Sequence, residues 1–197
     1  SCKKAVDATD AENVAEATDE AIAFNVNTDE SIIEWKGGKV VGGGHNGTLT
    51  LSSGEVSVKD GVVEAGSFVI DMNSITVTDI DEENGKSHLE AHLKGATEEN
   101  ADHFFNVSGF PEAKFEITAV ANGNVEGNLT LKGVTKNVKF PANITVTDND
   151  VTITSEAFNI DRTKWGVNFN SESMTDLAAD KVISNNIEIK FVVKATR

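Results

Sequence analysis

From Phe24 onward the chain keeps returning to a period of two, and that period is the signature of a half-buried β-strand. In GSFVIDMNSITV, Gly66–Val77, the residues Phe68, Ile70 and Met72 alternate with Val69, Asp71 and Asn73. Phe115, Ile117 and Ala119 repeat the pattern, as do Leu129 and Leu131, then Phe140, Ala142, Ile144 and Val146, and finally Ile187, Ile189, Phe191 and Val193. Side chains at i and i+2 share one face of a strand, so each segment turns one face to an apolar interior and the other to water. Antiparallel sheets allow that arrangement.

Turn signals separate these segments: Ser53-Gly54, Asp60-Gly61, Asn122-Gly123 and Asp148-Asn149-Asp150. Spacings of this kind predict an antiparallel meander closed into a barrel or folded into a sandwich. Pro141 lacks an N–H donor and predicts a sheet edge or a bulge. One segment departs from the period. In KSHLEAHLKGATEENADHFF, Leu89 and Leu93 stand four apart, as do His88 and His92, which suits short helices. Four of the ten Phe then fall within Ala101–Phe115, so this helical insertion carries rings that are expected to close one mouth of the β-structure.

The N-terminus reads differently. Cys2 is the chain's one cysteine, and Lys3-Lys4 and DATDAENVAEATDEA follow it. A lone Cys before a polar run predicts a lipidated residue at the head of a flexible acidic tether, residues 1–22, with the β-domain over 23–197. On that reading the expected location is a bacterial cell envelope, as a periplasmic or outer-membrane lipoprotein held to the membrane by its lipid anchor. The net charge of −15 repels phosphate backbones, so no nucleic acid is expected as a partner. A homodimer is compatible with the pattern, which does not define oligomeric state.

Four motifs in order, SFVIDMNSITVTDID, HLKG with DHFFNVSGFPEAKFEIT, GNLTLKGVTKNVKFPA and NIDRTKWGV, make the chain from about Phe24 to its C-terminus resemble the YceI-like family. The resemblance implies an antiparallel, lipocalin-like barrel whose elongated apolar interior binds a polyisoprenoid or similar amphiphile. Alternation and turn spacing alone stop at an all-β barrel or sandwich. The sequence departs from the family pattern where GATEENAD lengthens the link between HLK and the Phe pair, and where His103 precedes that pair.

Chemistry is sparse. His88 and His92 have the i,i+4 spacing that presents two imidazoles to one metal, but no third ligand is demanded nearby, and a solvated helical face or a hydrogen-bonded place at the mouth is the expected setting. Neither a G-x-S-x-G turn nor a separated carboxylate pair is evident, so no enzyme, metal or cofactor is expected. Arg162 is expected to find a carboxylate within the barrel rather than a ligand headgroup, and Trp165 to join the core. The expected function is binding of a long-chain lipid, whether polyisoprenoid, isoprenoid quinone or fatty-acid type, for carriage or storage near the membrane. Its expected wall is Phe68, Ile70, Met72, Phe104, Phe105, Phe115, Ile117, Leu129, Leu131, Phe140 and Phe191. A solid-core structural or adhesive β-domain gives the same alternation and stays open at this level.

Overall fold

A computed structural model describes residues 3–197; Cys2, and with it the expected lipidation, lies outside the described residues. The strands are β1 (Thr9–Asp10), β2 (Ile22–Val26), β3 (Ile32–Gly38), β4 (Gly44–Lys59), β5 (Val62–Val77), β6 (Glu112–Ala121), β7 (Asn124–Leu131), β8 (Val134–Val146), β9 (Asp150–Ser155), β10 (Phe158–Asp161) and β11 (Asn186–Thr196). Among the described residues one α-helix, α1, spans Lys86–Lys94. All ladders between named strands are antiparallel. β4 to β9 pair in sequence order, β9 pairs with β11, and β11 returns through β3 to β4, which closes the ring.

Two of the staves are broken strands. β2 and β3 lie along the same edges of β4 and β11, interrupted at residues 27–31, and β9 and β10 lie along one edge of β11, interrupted at Glu156 and Ala157. Counted as staves, the ring is therefore an eight-stranded barrel, a size at which the interior either fills with side chains or holds one small ligand.

Local chemistry fixes the tight turns. Asp60-Gly61, Asn122-Gly123 and Lys132-Gly133 each place two successive residues at positive φ, the backbone of a type I′ hairpin turn whose twist matches the flanking strands. Lys132-Gly133 carries only half of the usual signal. Ser53-Gly54, expected to be a turn, lies inside β4 instead, where a register shift between Leu51 and Ser53 bulges the strand. Pro141 sits inside β8, where that strand parts from β7 and takes β9 as its neighbour.

The expected flexible tether is corrected by the structure. Residues 3–20 are a strap laid along the outside of the barrel. Ala5 bridges Asn159 of β10, and Thr9 and Asp10 pair with Asn137 and Lys136 of β8, so this stretch fills the gap where β10 diverges from β8. The strap then crosses β7 at Asn128, β6 where the Ala15 N–H donates to the Ile117 carbonyl, and β5 where the Thr18 N–H donates to Glu64. Main-chain hydrogen bonding to strands and side chains, with Val6 and Ala8 packed against the core, orders a segment whose composition has little else to bury.

Phe24, Val56, Val151 and Ala195, each no more than 2% exposed, pack the barrel's far end. At the other end α1 and residues 96–111 fold across β5. Glu90 accepts the Val77 N–H, the Phe105 N–H donates to the Leu93 carbonyl, and the Met72 N–H donates to the Pro111 carbonyl.

Candidate functional site: an apolar cavity beneath the helix

The interior is not solid. A cavity of about 280 Å³ occupies it, nearly twice the ~150 Å³ of an apolar cavity that stays dry and takes up benzene. All eleven residues expected on its wall stand there: Phe68, Ile70 and Met72 from β5; Phe104 and Phe105 from the segment after α1; Phe115 and Ile117 from β6; Leu129 and Leu131 from β7; Phe140 from β8; and Phe191 from β11. Inward parity accounts for the nine on strands. Phe104 and Phe105 reach the wall because residues 96–111 fold back beneath α1, whose Leu89 and Leu93 line the same space.

The rings are packed against one another on one side of the barrel. Phe140 stacks on Phe158 with centroids 4.4 Å apart, meets Phe191 edge-on at 5.4 Å, and lies 5.7 Å from Phe115. Such contacts add about 0.5–1.5 kcal/mol each beyond area burial, and they leave a stiff wall. Phe158, Ile160, Trp35 and His45 also line the cavity. The sequence pattern does not single out Phe158 and Ile160, because β10 is only four residues long and too short to show a period. The cavity meets solvent beside Lys39, Gly43 and His45, all of them exposed.

Arg162 lines the cavity, is 2% exposed, and pairs with no carboxylate among the described residues. Its guanidinium donates instead to four main-chain carbonyls, those of Val167 (2.8 Å), Phe169 (2.9 Å), Ser184 (3.0 Å) and Ile183 (3.2 Å). The expected ion pair is replaced by a clamp: the planar fork of donors pins both ends of the 163–185 loop to the barrel rim. Burial lowers its pKa, against the attraction of Asp161 and Glu172. Trp165 is 1% exposed and donates its indole N–H to the Leu129 carbonyl, 2.9 Å away; it is core.

The histidines do not gather a metal. His92 Nε2 lies 2.9 Å from His103 Nδ1, and His103 stacks on Phe169 at 4.0 Å between centroids. His92 also meets Phe104 and Phe169 edge-on. Among the described residues no three His, Cys, Asp or Glu stand together as a ligand set. Burial holds the pKa of His92 below its ordinary value, helped by repulsion from His103 and His88. At the rim His45 Nδ1 lies 2.9 Å from Asp79 Oδ2. Burial works against the Asp79 carboxylate, but hydrogen bonds from the Asn46 N–H and from His45 keep its pKa below the ordinary value.

Known proteins share this architecture. In fold the chain is similar to Burkholderia cenocepacia BcnA (TM-score 0.64, 20% identity, covering 87% of this chain and 99% of that one). It is similar as well to a polyisoprenoid-binding domain from Saccharophagus degradans (TM-score 0.60, 16% identity, 88% and 97%). A UPF0312 protein of Yersinia pestis is 35% identical over 96 residues, which span 47% of this chain and 43% of that relative. The family model described as a YceI-like domain matches residues 24–195, nearly the whole barrel. The chain belongs to the YceI-like family.

Proposed function

We propose that the barrel holds a long-chain apolar or amphiphilic lipid, of polyisoprenoid, isoprenoid quinone or fatty-acyl type, for carriage or storage at the membrane of the cell envelope. The observation that carries this reading is the interior cavity, walled by aliphatic and aromatic side chains and open at one end. Each methylene taken from water contributes about 0.8 kcal/mol, so such a wall holds a long chain while discriminating weakly among similar ones. The polyisoprenoid-binding description of the Saccharophagus degradans domain supports the ligand class. Val40 and Val41, both exposed at the β3–β4 tip beside the opening, give the rim an apolar edge suited to a lipid surface. Acylation of Cys2 would keep the barrel there, and stable attachment needs more than one acyl chain.

The test is organic extraction of protein purified from its native host, followed by mass spectrometry. A stoichiometric long-chain molecule is the expected result. Repeated extraction of nothing would overturn the carrier reading and return the domain to a structural role.

A further inference from the structure

Trp35 Nε1 is the one buried side-chain nitrogen or oxygen among the described residues that has no hydrogen-bond partner. The indole is on the cavity wall. It lies over Gly47, its cross-strand partner in β4, where a Cβ would come within 2.7 Å of the ring. An indole N–H is a donor only, and a buried donor with nothing to bond is a costly exception that asks for a reason. Every other buried indole or guanidinium nitrogen near the cavity has at least one partner: Trp165 Nε1 has Leu129, and the three Arg162 nitrogens share four carbonyls.

His45 stands next to it. The register pairs Trp35 with Gly47 and Gly37 with His45, so Trp35 and His45 are diagonal neighbours on one face of the β3–β4 ladder, and both line the cavity. Diagonal neighbours at this spacing are within reach of one group placed between them. Because His45 Nδ1 faces the Asp79 carboxylate, Nδ1 is the nitrogen that donates to it, and in the uncharged tautomer Nε2 is the acceptor. Space is provided beside them: a Cβ at Gly37 would meet nothing within 4 Å.

We infer that Trp35 and His45 form a headgroup subsite that takes an uncharged oxygen, a hydroxyl or carbonyl, at the end of a long apolar chain. The inference rests on the carrier reading and deepens it. Trp35 donates to the oxygen, and a hydroxyl can donate in turn to His45 Nε2. Lys39 also lines the opening, but a diphosphate is disfavoured against it, since Asp79 stands at the rim, each Arg162 nitrogen already has a carbonyl partner, and the chain's charge is −15. An unfunctionalised hydrocarbon would leave the indole N–H as it is.

The experiment uses the full chain, delipidated and labelled with 15N at the indoles, against three probes that share one C20 isoprenoid chain: the alcohol, the diphosphate and the hydrocarbon. The chain has two Trp, so two indole resonances report. The alcohol is expected to bind about tenfold tighter than the hydrocarbon and to move one indole N–H resonance downfield, an effect the hydrocarbon lacks. Trp35→Phe, which keeps an aromatic ring and removes the donor, is expected to abolish the moving resonance and to bring the ratio of alcohol to hydrocarbon affinity from about tenfold to near one, whatever it does to the affinity for either alone. Should that variant fail to fold, the wild-type spectrum decides alone, because the Trp165 N–H is already bonded. Equal binding of alcohol and hydrocarbon with no selective shift would overturn the headgroup subsite and leave the carrier reading standing. Tighter binding of the diphosphate than of the alcohol would overturn the preference for an uncharged head. Binding of none of the three would overturn both readings.

Discussion

Glu12 and Asn128 exchange two hydrogen bonds: the Glu12 N–H donates to Asn128 Oδ1 at 3.0 Å, and Asn128 Nδ2 donates to the Glu12 carbonyl at 2.7 Å. A side-chain amide thus imitates the rung of a β-ladder and receives the strap across β7. Asn128 is 5% exposed, and Asn137 Nδ2 donates to the same Oδ1 at 3.2 Å. Asn128→Ala leaves the Glu12 N–H and carbonyl without their partner and is expected to lower stability by about 2–3 kcal/mol. Thermal unfolding measures the loss. Hydrogen exchange locates it: the Glu12 and Ala15 amides should lose protection while β7 and β8 amides keep theirs.

Acid should loosen the mouth. The folded pKa of His92 lies below the ordinary 6.5 because burial penalises the imidazolium, so between those two values the unfolded chain binds more protons than the folded one. Stability of the 86–107 segment therefore falls as the pH drops through about 6.5 and levels off below the folded pKa. Hydrogen exchange over this segment at about pH 7.5 and about pH 5.5, above and below the ordinary histidine value, should show faster opening at the lower pH. His92→Gln should remove most of the difference.

The Arg162 clamp predicts a substitution that charge alone does not rescue. Arg162→Met strips four carbonyls of their donor, and a cost of about 3–5 kcal/mol is expected from the combination of unmet acceptors and lost packing. Arg162→Lys retains the charge but not the fork, so it should recover less than half of that loss. Limited proteolysis within residues 163–185 reports the loop directly.

Filling the cavity should separate folding from binding. Ile70 pairs with Ala113, a small neighbour, and is still 9% exposed. Ile70→Trp is expected to fold with less than about 1 kcal/mol lost, below the usual range for overpacking, and to weaken lipid uptake at least tenfold. Ile117 is fully buried, and its Cδ1 already lies 2.8 Å from where a Cβ on Gly66 would be. Ile117→Trp should instead cost about 1–3 kcal/mol through overpacking. Paired measurements of thermal unfolding and lipid binding on delipidated protein distinguish the two outcomes.

Legible and hidden features divide along physical lines. Strands that bury one face announce themselves by period, which is why alternation alone assigns Phe68, Ile117, Leu131 and Phe140 to an inner wall. Parity does not tell a filled interior from a hollow one, so the cavity itself is not legible in the sequence. The strap is hidden because main-chain bonds to Ile117 and Asn159 hold it, and Val6 and Ala8 alone are too short an apolar pattern to read. Arg162 misleads for a related reason: its partners are carbonyls, which every residue carries. Trp35 and His45 face glycines on the neighbouring strand, and two polar-capable side chains in a Gly-rich run read as loop rather than wall.

The strap also carries a timetable. It comes from the N-terminal end of the chain, yet its partners lie far downstream: Glu64 is 46 residues from Thr18, Asn128 is 116 from Glu12, and Asn159 is 156 from Lys3. The Asn128 and Asn159 surfaces do not exist until β7 and β10 have formed, and contacts so distant in sequence close late. During synthesis the strap is thus made long before the strands that hold it. Once β8 and β10 are in place the strap can close onto them, and from then on Lys3 is fastened to the barrel's flank.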